Sequence, residues 1–515
     1  MTNHSTIMRK RTTLTLTTVA ALLSGCGTAE EQPNIIVFLV DDMGLMDTSV
    51  PMLADSLGEP ATHPLNRWYR TPNMERLASQ GVRFSQFYAQ SVSSPSRASL
   101  MTGQNATRHG VTNWIYSESN NRNTYGPPDW NWSGLDSSVY TLPRMLSDAG
   151  YRTIHVGKAH FGPFGSQGEN PCNLGFDVNV AGCSIGEPGS YYGRDGYGLY
   201  RGTRSRAVPG LEEFFDDDVF LTDALTIMAE REMEVAIEAG KPFFLNMAHY
   251  AVHAPFMSDP RFMEHYSGDS TYSMSAKDFA TLIEGMDRSL GELMDFLQEK
   301  GVARNTLIVF LGDNGSDAPI GDERGYGPSA PLRGKKGTEF EGGMRVPMIV
   351  AWAAPDSDSR LQRRFRIPQG RTVTQVGTIM DIYPTIAAVA GTDIPESHIV
   401  DGHDLSRLIT TGHDSSRDET FLMHFPHDHR GKYFTVYREG RWKLIYYWKP
   451  ENPQKAYCVL YDLVADPYET TDVSAANRPL ADSLLQRMSR RLAAEGARYP
   501  VDSAGHSLHP HLSHL

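Results

Sequence analysis

Asn34-Ile35-Ile36-Val37-Phe38-Leu39-Val40-Asp41-Asp42-Met43-Gly44 is the stretch from which the fold can be read. Six apolar residues follow Asn34 without interruption, most of them β-branched. A strand covered on both faces requires such a run, because neither side meets water. The run stops at two carboxylates. They therefore emerge at the carboxyl end of a central strand, where open α/β sheets place their ligand sites.

The same pattern recurs along the chain. Pro242 to Met247 is a second run, ending near His249 and His253, and Thr306 to Leu311 is a third, ending in Gly312-Asp313-Asn314-Gly315. A fourth, Val346 to Trp352, follows a Gly-rich basic loop. Between runs two and three, Phe279, Leu282, Ile283, Met286, Leu290, Leu293, Met294 and Leu297 keep helical spacing, and Gly301 suits the helix end. Alternating strands and helices predict a doubly wound α/β sheet flanked by helices. Near residue 420 the pattern changes. Phe434 to Tyr437, Trp442 to Tyr447 and Val459 to Leu463 read as short strands, and Pro479 to Glu495 as a helix, so a smaller C-terminal α+β subdomain is expected over 420–500. The catalytic domain would then span 33–419, with a disordered tail over 501–515 that carries His506, His509, His511 and His514.

The amino terminus reads as an export signal. Arg9-Lys10-Arg11 is a basic segment, and Leu14 to Leu23 is apolar but too short to span a bilayer. It ends in Leu23-Ser24-Gly25-Cys26, which is similar to a bacterial lipoprotein signal with Cys26 as the lipidated residue. Residues 1–25 would be the signal and 26–32 a linker. The expected location is the periplasm or the outer-membrane or cell surface, with membrane contact only through the lipid. Formal net charge is −13, and loss of the basic signal makes the chain more acidic still. Nucleic acid is thereby excluded as a partner, since its binding depends on distributed Lys and Arg. Of the remaining cysteines, Cys172 and Cys183 lie close together in a Gly- and Asn-rich loop; export permits a disulfide between them, and two free thiols fit as well.

Asp41, Asp42, Asp313 and Asn314 follow two of the predicted central strands. Carboxylates and an amide oxygen, with no Cys or His, form a hard-ligand set suited to Ca²⁺ or Mg²⁺ rather than zinc. Ser93-Ser94-Pro95-Ser96-Arg97-Ala98-Ser99-Leu100-Met101-Thr102-Gly103 reads as a short helix, with Ser94 as its cap, Pro95 at the first position and Gly103 at the end. Ser93 would sit at the positive end, where free N–H groups attract a tetrahedral anion.

The segment Ser93-x-Pro-Ser-Arg followed by Leu100-x-Thr-Gly resembles the signature of the type I sulfatases of the alkaline-phosphatase superfamily. Further segments resemble that family in the same order: Gly150 to Thr153, Gly157-Lys158-Ala159-His160, Tyr250 to Pro255, Gly312 to Gly315, Leu332 to Gly337 and Glu341 to Pro347. Trp442-Lys443-Leu444-Ile445 and Leu460 to Pro467 look like the family's C-terminal subdomain. The resemblance implies that Ser93 is oxidised to formylglycine, and a serine at this position implies a serine-type, oxygen-independent maturation enzyme. It implies one divalent ion, Ca²⁺ ahead of Mg²⁺, held by Asp41, Asp42, Asp313 and Asn314 beside residue 93. It further implies that a hydroxyl of hydrated formylglycine attacks sulfur, that His253 and Lys336 assist the leaving oxygen, and that His160 is the base for release. Lys158 and Arg97 would orient and balance charge. Two departures stand out. Ala159 replaces the usual Trp, and Lys335 stands where Gly is usual, leaving Lys336 as the match to the catalytic lysine.

Two other readings are open on sequence. One is a phosphatase or phosphodiesterase of the same superfamily, which would use an unmodified Ser or Thr and usually two zinc ions. The other is a catalytically silent lipoprotein that binds sulfated glycans. For a sulfatase, the expected substrate is a sulfated glycan of galactose type. The loops Trp114 to Trp132 and Gly162 to Leu211, with His424, His427, His429 and Arg430, are the candidates for the sugar pocket.

Overall fold

The computed structural model describes residues 32–202, 204–321 and 327–511. The signal segment, Cys26 and His514 lie outside the described residues. Its main sheet contains β1 (Asn34–Val40), β2 (Val82–Phe84), β4 (Arg152–Gly157), β5 (Val178–Val180), β6 (Phe243–His249), β7 (Thr306–Gly312), β8 (Met348–Trp352) and β9 (Arg371–Val373). A separate short pair joins β3 (Phe87–Tyr88) to β10 (Gly377–Thr378). In the main sheet the order is β5-β4-β6-β1-β7-β8-β2-β9. β1 lies parallel between β6 and β7, and β8 alone runs against the others.

The period of two along β1 explains why it is apolar throughout. Ile35, Val37 and Leu39 enter one core while Ile36, Phe38 and Val40 enter the other, on the opposite face. β7 does the same, with Leu307, Val309 and Leu311 on one side and Ile308 and Phe310 on the other. Each such side chain, fully removed from water, contributes roughly 1.5–3 kcal/mol. A charge at Val37 would find no solvated face to turn to. The predicted long helix forms over Met274–Glu299, with Ser273 accepting from the Ala276 N–H at its start and Gly301 in the left-handed region just beyond it.

The expected C-terminal strands are present as part of a four-stranded antiparallel sheet: β11 (Thr420–His429), β12 (Lys432–Glu439), β13 (Trp442–Trp448) and β14 (Tyr457–Asp462). One face (Leu422, Leu444, Tyr446, Leu460) is covered by the helix Arg478–Ala494 through Ala481, Leu484, Leu485 and Met488. The other face (Phe421, Met423, Phe434, Ile445) joins the core beneath the main sheet. The described residues form one compact unit. β11 has no counterpart among the strands expected from sequence, where His424, His427, His429 and Arg430 figured only as candidates for the sugar pocket. Pro426 cannot donate to a ladder, and it falls inside the register shift between Phe425 and His429.

One alternative left open by the sequence is resolved, and one expectation is corrected. Cys172 and Cys183 are free thiols rather than a disulfide: Cys172 is exposed, whereas Cys183 is turned inward against the Tyr250 hydroxyl. The chain beyond residue 500 is also not a loose end as far as His511. Val501 donates its N–H to the Tyr125 carbonyl, and the His509 ring packs at a tilt against Tyr499 with ring centres 4.4 Å apart. Among the described residues, no helix is long and apolar enough to cross a membrane.

Candidate active site

The site forms where β1 and β7 end side by side. Asp41 is anchored by its backbone, donating to the Ala251 carbonyl and accepting from the Val252 N–H. The chain then turns through Asp42, whose φ is +59°, and the Asp42 N–H donates to Asp313 Oδ1 at 3.0 Å. Gly44 allows this exit, because a Cβ there would lie 2.5 Å from the Ser316 nitrogen. One carboxylate oxygen from each of Asp41, Asp42 and Asp313 falls within 4.8 Å of the others, and all three residues are buried. Asn314 joins them, its amide donating to Asp42 Oδ1 at 2.9 Å.

Residue 93 faces this acidic knot. The helix Ser93–Thr102 begins two residues earlier than Ser94 capping would require, with Val92 in the capping position. Ser94 instead accepts the Ile115 N–H, and Gly103 closes the helix at φ +67° as expected. Ser93 Oγ lies 3.0 Å from Asp41 Oδ1, 3.2 Å from Asn314 Oδ1 and 3.2 Å from Lys158 Nζ. Lys158 also donates to Asp41 Oδ2 at 2.7 Å, and Arg97 clasps Asp313 at 2.9 and 3.0 Å while donating to the Lys158 carbonyl. On the opposite side, Lys336 Nζ is 2.7 and 2.8 Å from the two oxygens of Asp42 and 3.0 Å from His253 Nε2.

Burial dominates the electrostatics. It pushes Asp41 up to about 8, with Asp313 and Asp42 adding repulsion against the pull of Lys158. For Asp42 burial acts in the same direction, but the cationic form of His253 and the Lys336 ammonium pull it down, and Lys336, on both of its oxygens, stays charged where His253 has become neutral. Burial also drives His253 down to about 4 and, with Lys158 adjacent, His160 far below its ordinary value. Both imidazoles are therefore neutral near pH 7. His160 Nε2 lies 2.7 Å from the Ile115 carbonyl, so it carries the hydrogen and Nδ1, buried without a partner, keeps its lone pair. His253 Nδ1 donates to the Ala254 carbonyl, which leaves Nε2 to accept from Lys336.

These groups open onto a cavity of about 300 Å³. Ser93, Lys158, His160, His253 and Lys336 line it, together with Trp114, Tyr116, Glu187, Arg206, Asp317, His429 and Arg430. The structure thus brings together every catalytic and metal-binding candidate named from sequence. The sugar-pocket candidates divide. His429 and Arg430 reach the cavity, whereas His424 and His427 do not line it and are buried, His424 held by Thr435 and the Arg498 carbonyl and His427 by Thr112. Close approach of the β11 tip depends on Gly337, since a Cβ there would stand 2.2 Å from the His429 ring. Lys335 stays off the cavity and faces Asp317 at 3.4 Å. Sequence reasoning missed Asp317 and did not single out Glu187 and Arg206 within their loop. No spacing or motif marks them; the fold alone carries them to the cavity.

The chain belongs to the sulfatase family: the family model described as "Sulfatase" matches residues 33–392. A second model, "N-sulphoglucosamine sulphohydrolase, C-terminal", matches residues 335–497. The protein is accordingly a sulfuric ester hydrolase. It is 31% identical over 419 residues to an N-acetylgalactosamine-6-sulfatase of Canis lupus familiaris, covering 78% of this chain and 71% of that one. It is 27% identical to a sulfatase of Formosa agariphila, covering 87% and 86%. Among solved structures, Ps i-CgsB in complex with k-i-k-neocarrahexaose has the same fold, with a TM-score of 0.70 at 24% identity over 92% of this chain and 96% of that one.

Proposed function

We propose that this enzyme removes sulfate from a sulfated glycan of galactose type, using an aldehyde made from Ser93. The observation that carries the reading is the position of Ser93 Oγ, buried at a helix N-terminus between Asp41, Asn314 and Lys158. Relatives at about 30% identity that act as N-acetylgalactosamine-6-sulfatases support the galactose-type sugar.

Three buried carboxylates and an amide oxygen converging on one point fit a hard divalent ion. Asp41, Asp42, Asp313 and Asn314, with residue 93 beside them, would hold calcium in preference to magnesium, and the ion would neutralise charge on a sulfate oxygen. Asp41, Asp42 and Asp313 are balanced by Arg97, Lys158 and Lys336, so the ion would also give the pocket the excess positive charge that an anionic ester needs. Oxidation of Ser93 by a serine-type maturation enzyme removes two hydrogens. The hydrated aldehyde would carry two hydroxyls on one carbon, one to attack sulfur and one whose loss of a proton re-forms the C=O bond and breaks the bond from that carbon to the sulfate oxygen; serine has only the first.

The remaining residues divide the proton handling. Lys336 and His253, hydrogen-bonded to each other, face the cavity where the leaving oxygen would depart. His160 offers Nδ1 as the base for release, its ring locked by Ile115. Lys158 and Arg97 hold the carboxylates and residue 93 in register. Trp114 and Tyr116 offer ring faces for a sugar, and His429 and Arg430 offer contacts for its hydroxyls. Export as a lipoprotein through Cys26, to the periplasm or cell surface, would place the enzyme where polysaccharide fragments arrive.

Mass spectrometry of the peptide containing Ser93, after expression with and without a serine-type maturation enzyme, tests the reading. Loss of two hydrogens at residue 93 should accompany sulfate release from a panel that includes 6-sulfated N-acetylgalactosamine. Full activity from unmodified serine would sink it, and so would a matured protein that binds glycans but releases no sulfate.

A further inference from the structure

Lys336 rides on a loop with little structure of its own; the only helix between Leu332 and Val346 is Glu341–Met344. On its inner side the loop is pinned by two backbone bonds, Lys336 N–H to the Ser316 carbonyl at 2.9 Å and Gly337 N–H to the Ser91 carbonyl at 2.8 Å. Its outer side is held by the C-terminal sheet. Glu341 accepts Lys443 Nζ at 3.0 Å and the Tyr88 hydroxyl at 2.6 Å, and its own N–H donates to Glu469 at 2.8 Å. The other Glu469 oxygen lies 2.6 Å from the same Lys443 ammonium. Two residues nearer to Lys336, Glu339 accepts the Tyr447 hydroxyl at 2.7 Å.

Lys443 and Glu469 are fully buried, and neither lines the catalytic cavity. A buried ion pair is a poor source of stability, since apolar replacements of equal volume are often neutral or better. It does impose geometry, because every charge must find its partner. We propose that Lys443 and Glu469 are positioning residues which, through Glu341, set the Lys336 loop so that the Lys336 ammonium stands between Asp42 and His253. This rests on the reading above, in which Lys336 and His253 assist the leaving oxygen. It gives the Trp442–Ile445 segment and the Asp466–Glu469 turn a task in the reaction.

The test follows from leaving-group chemistry. A departing sugar alkoxide needs a proton or a cation; a nitrophenolate needs little of either. Misplacing Lys336 should therefore slow sugar-sulfate hydrolysis selectively, whereas a loss of correctly folded protein slows both esters alike. Full-length protein with residue 93 matured, and its extent of maturation measured, is assayed as wild type, Lys443→Met, Glu469→Gln and Tyr447→Phe. For Lys443→Met and Glu469→Gln, kcat on the sugar sulfate should fall about 100-fold, the scale of an ångström-size misplacement. The fall on nitrophenyl sulfate should be under about 10-fold. Tyr447→Phe removes the hydroxyl that holds Glu339 on the same loop, so it tests whether the C-terminal sheet positions Lys336 even if the buried-charge variants do not fold; it should show the same asymmetry at smaller size. Equal losses on both esters, or none, overturn the proposal. A wild type inactive on both esters would instead overturn the sulfatase mechanism proposed above.

Discussion

Two buried clusters of charge lie at the two ends of the Lys336 loop, and they are built on opposite plans. In the cluster under the C-terminal sheet, one lysine stands between two carboxylates, so that Glu341 meets Lys443, Tyr88 and Arg345. Burial alone would raise Glu341, but Lys443, Arg345 and Arg438 bring it down to about 2. At the strand ends the order is reversed. Asp41, Asp42 and Asp313 crowd one point while Arg97, Lys158 and Lys336 stand around them. Burial and charge are therefore shared by both clusters, and arrangement separates them. Like charges forced together need something the chain does not supply; opposite charges interleaved do not.

The difference is widest for turnover. Ser93→Ala should lower sulfate release by at least about 10⁴-fold, the scale of losing a nucleophile. Stability in urea should stay within about 1 kcal/mol of wild type, because only a hydroxyl is lost. Retained turnover would contradict the assignment of residue 93. Glu341→Ala should act on stability as well as on the placing of Lys336. It leaves Lys443, Arg345 and Arg438 short of a buried partner and should cost about 3–5 kcal/mol in urea unfolding. A loss below about 1 kcal/mol would show that the second cluster is not the clamp described.

The strand-end cluster was legible in sequence because its parts are tied to backbone features with a strong local signal. Asp41 and Asp313 each follow an unbroken apolar run, and Ser93 opens a helix that Gly103 ends. His253 and Lys336 came only through resemblance, since nothing local marks a lone His or Lys. The sugar-facing side was half legible. Asp317, Glu187 and Arg206 reach the cavity by loop paths with no period or motif. Pro426 masked β11, and with it the reason why His429 reaches the cavity while His424 and His427 do not. The interleaved cluster was invisible as a unit: Glu341, Lys443 and Glu469 are more than 100 residues apart in part, and only packing brings them together.

Metal separates the clusters again, with a smaller effect. Protein stripped with a chelator and supplied with calcium at about 100 times its dissociation constant should gain about 2.7 kcal/mol in stability. The gain should vanish in Asp313→Asn and persist in Glu341→Ala. No response to calcium or magnesium would refute the hard-ion site.

The C-terminal sheet has its own titration. Burial lowers His427 to about 3 from the ordinary 6.5. Between those values the unfolded chain binds a proton that the folded chain refuses, so stability falls as pH drops below 6.5. One such histidine accounts for about 1.4 kcal/mol per pH unit in that window. His427→Gln should flatten the acid limb of the stability curve by that slope and leave kcat and KM on a sugar sulfate unchanged. A change in KM would return His427 to the sugar pocket.

The smallest effect is the sharpest discriminator, because its sign differs between the clusters. Asp41 pairs with Lys158 but also lies against Asp42 and Asp313, and burial denies its charge any help from water. In metal-free protein this carboxylate is a cost to folding rather than a support. Asp41→Asn keeps the shape and can still accept from Lys158 while removing one of the three crowded charges. It should raise the stability of chelator-treated protein by about 1 kcal/mol, the gain typical of relieving a site strained for function, and abolish turnover. The same neutralisation at Glu341, as Glu341→Gln, should lower stability, because there the charge answers three cations. If both substitutions destabilise, the strand-end carboxylates are held as well by the protein's own cations as those under the C-terminal sheet. The contrast between crowded and interleaved charge would then fail.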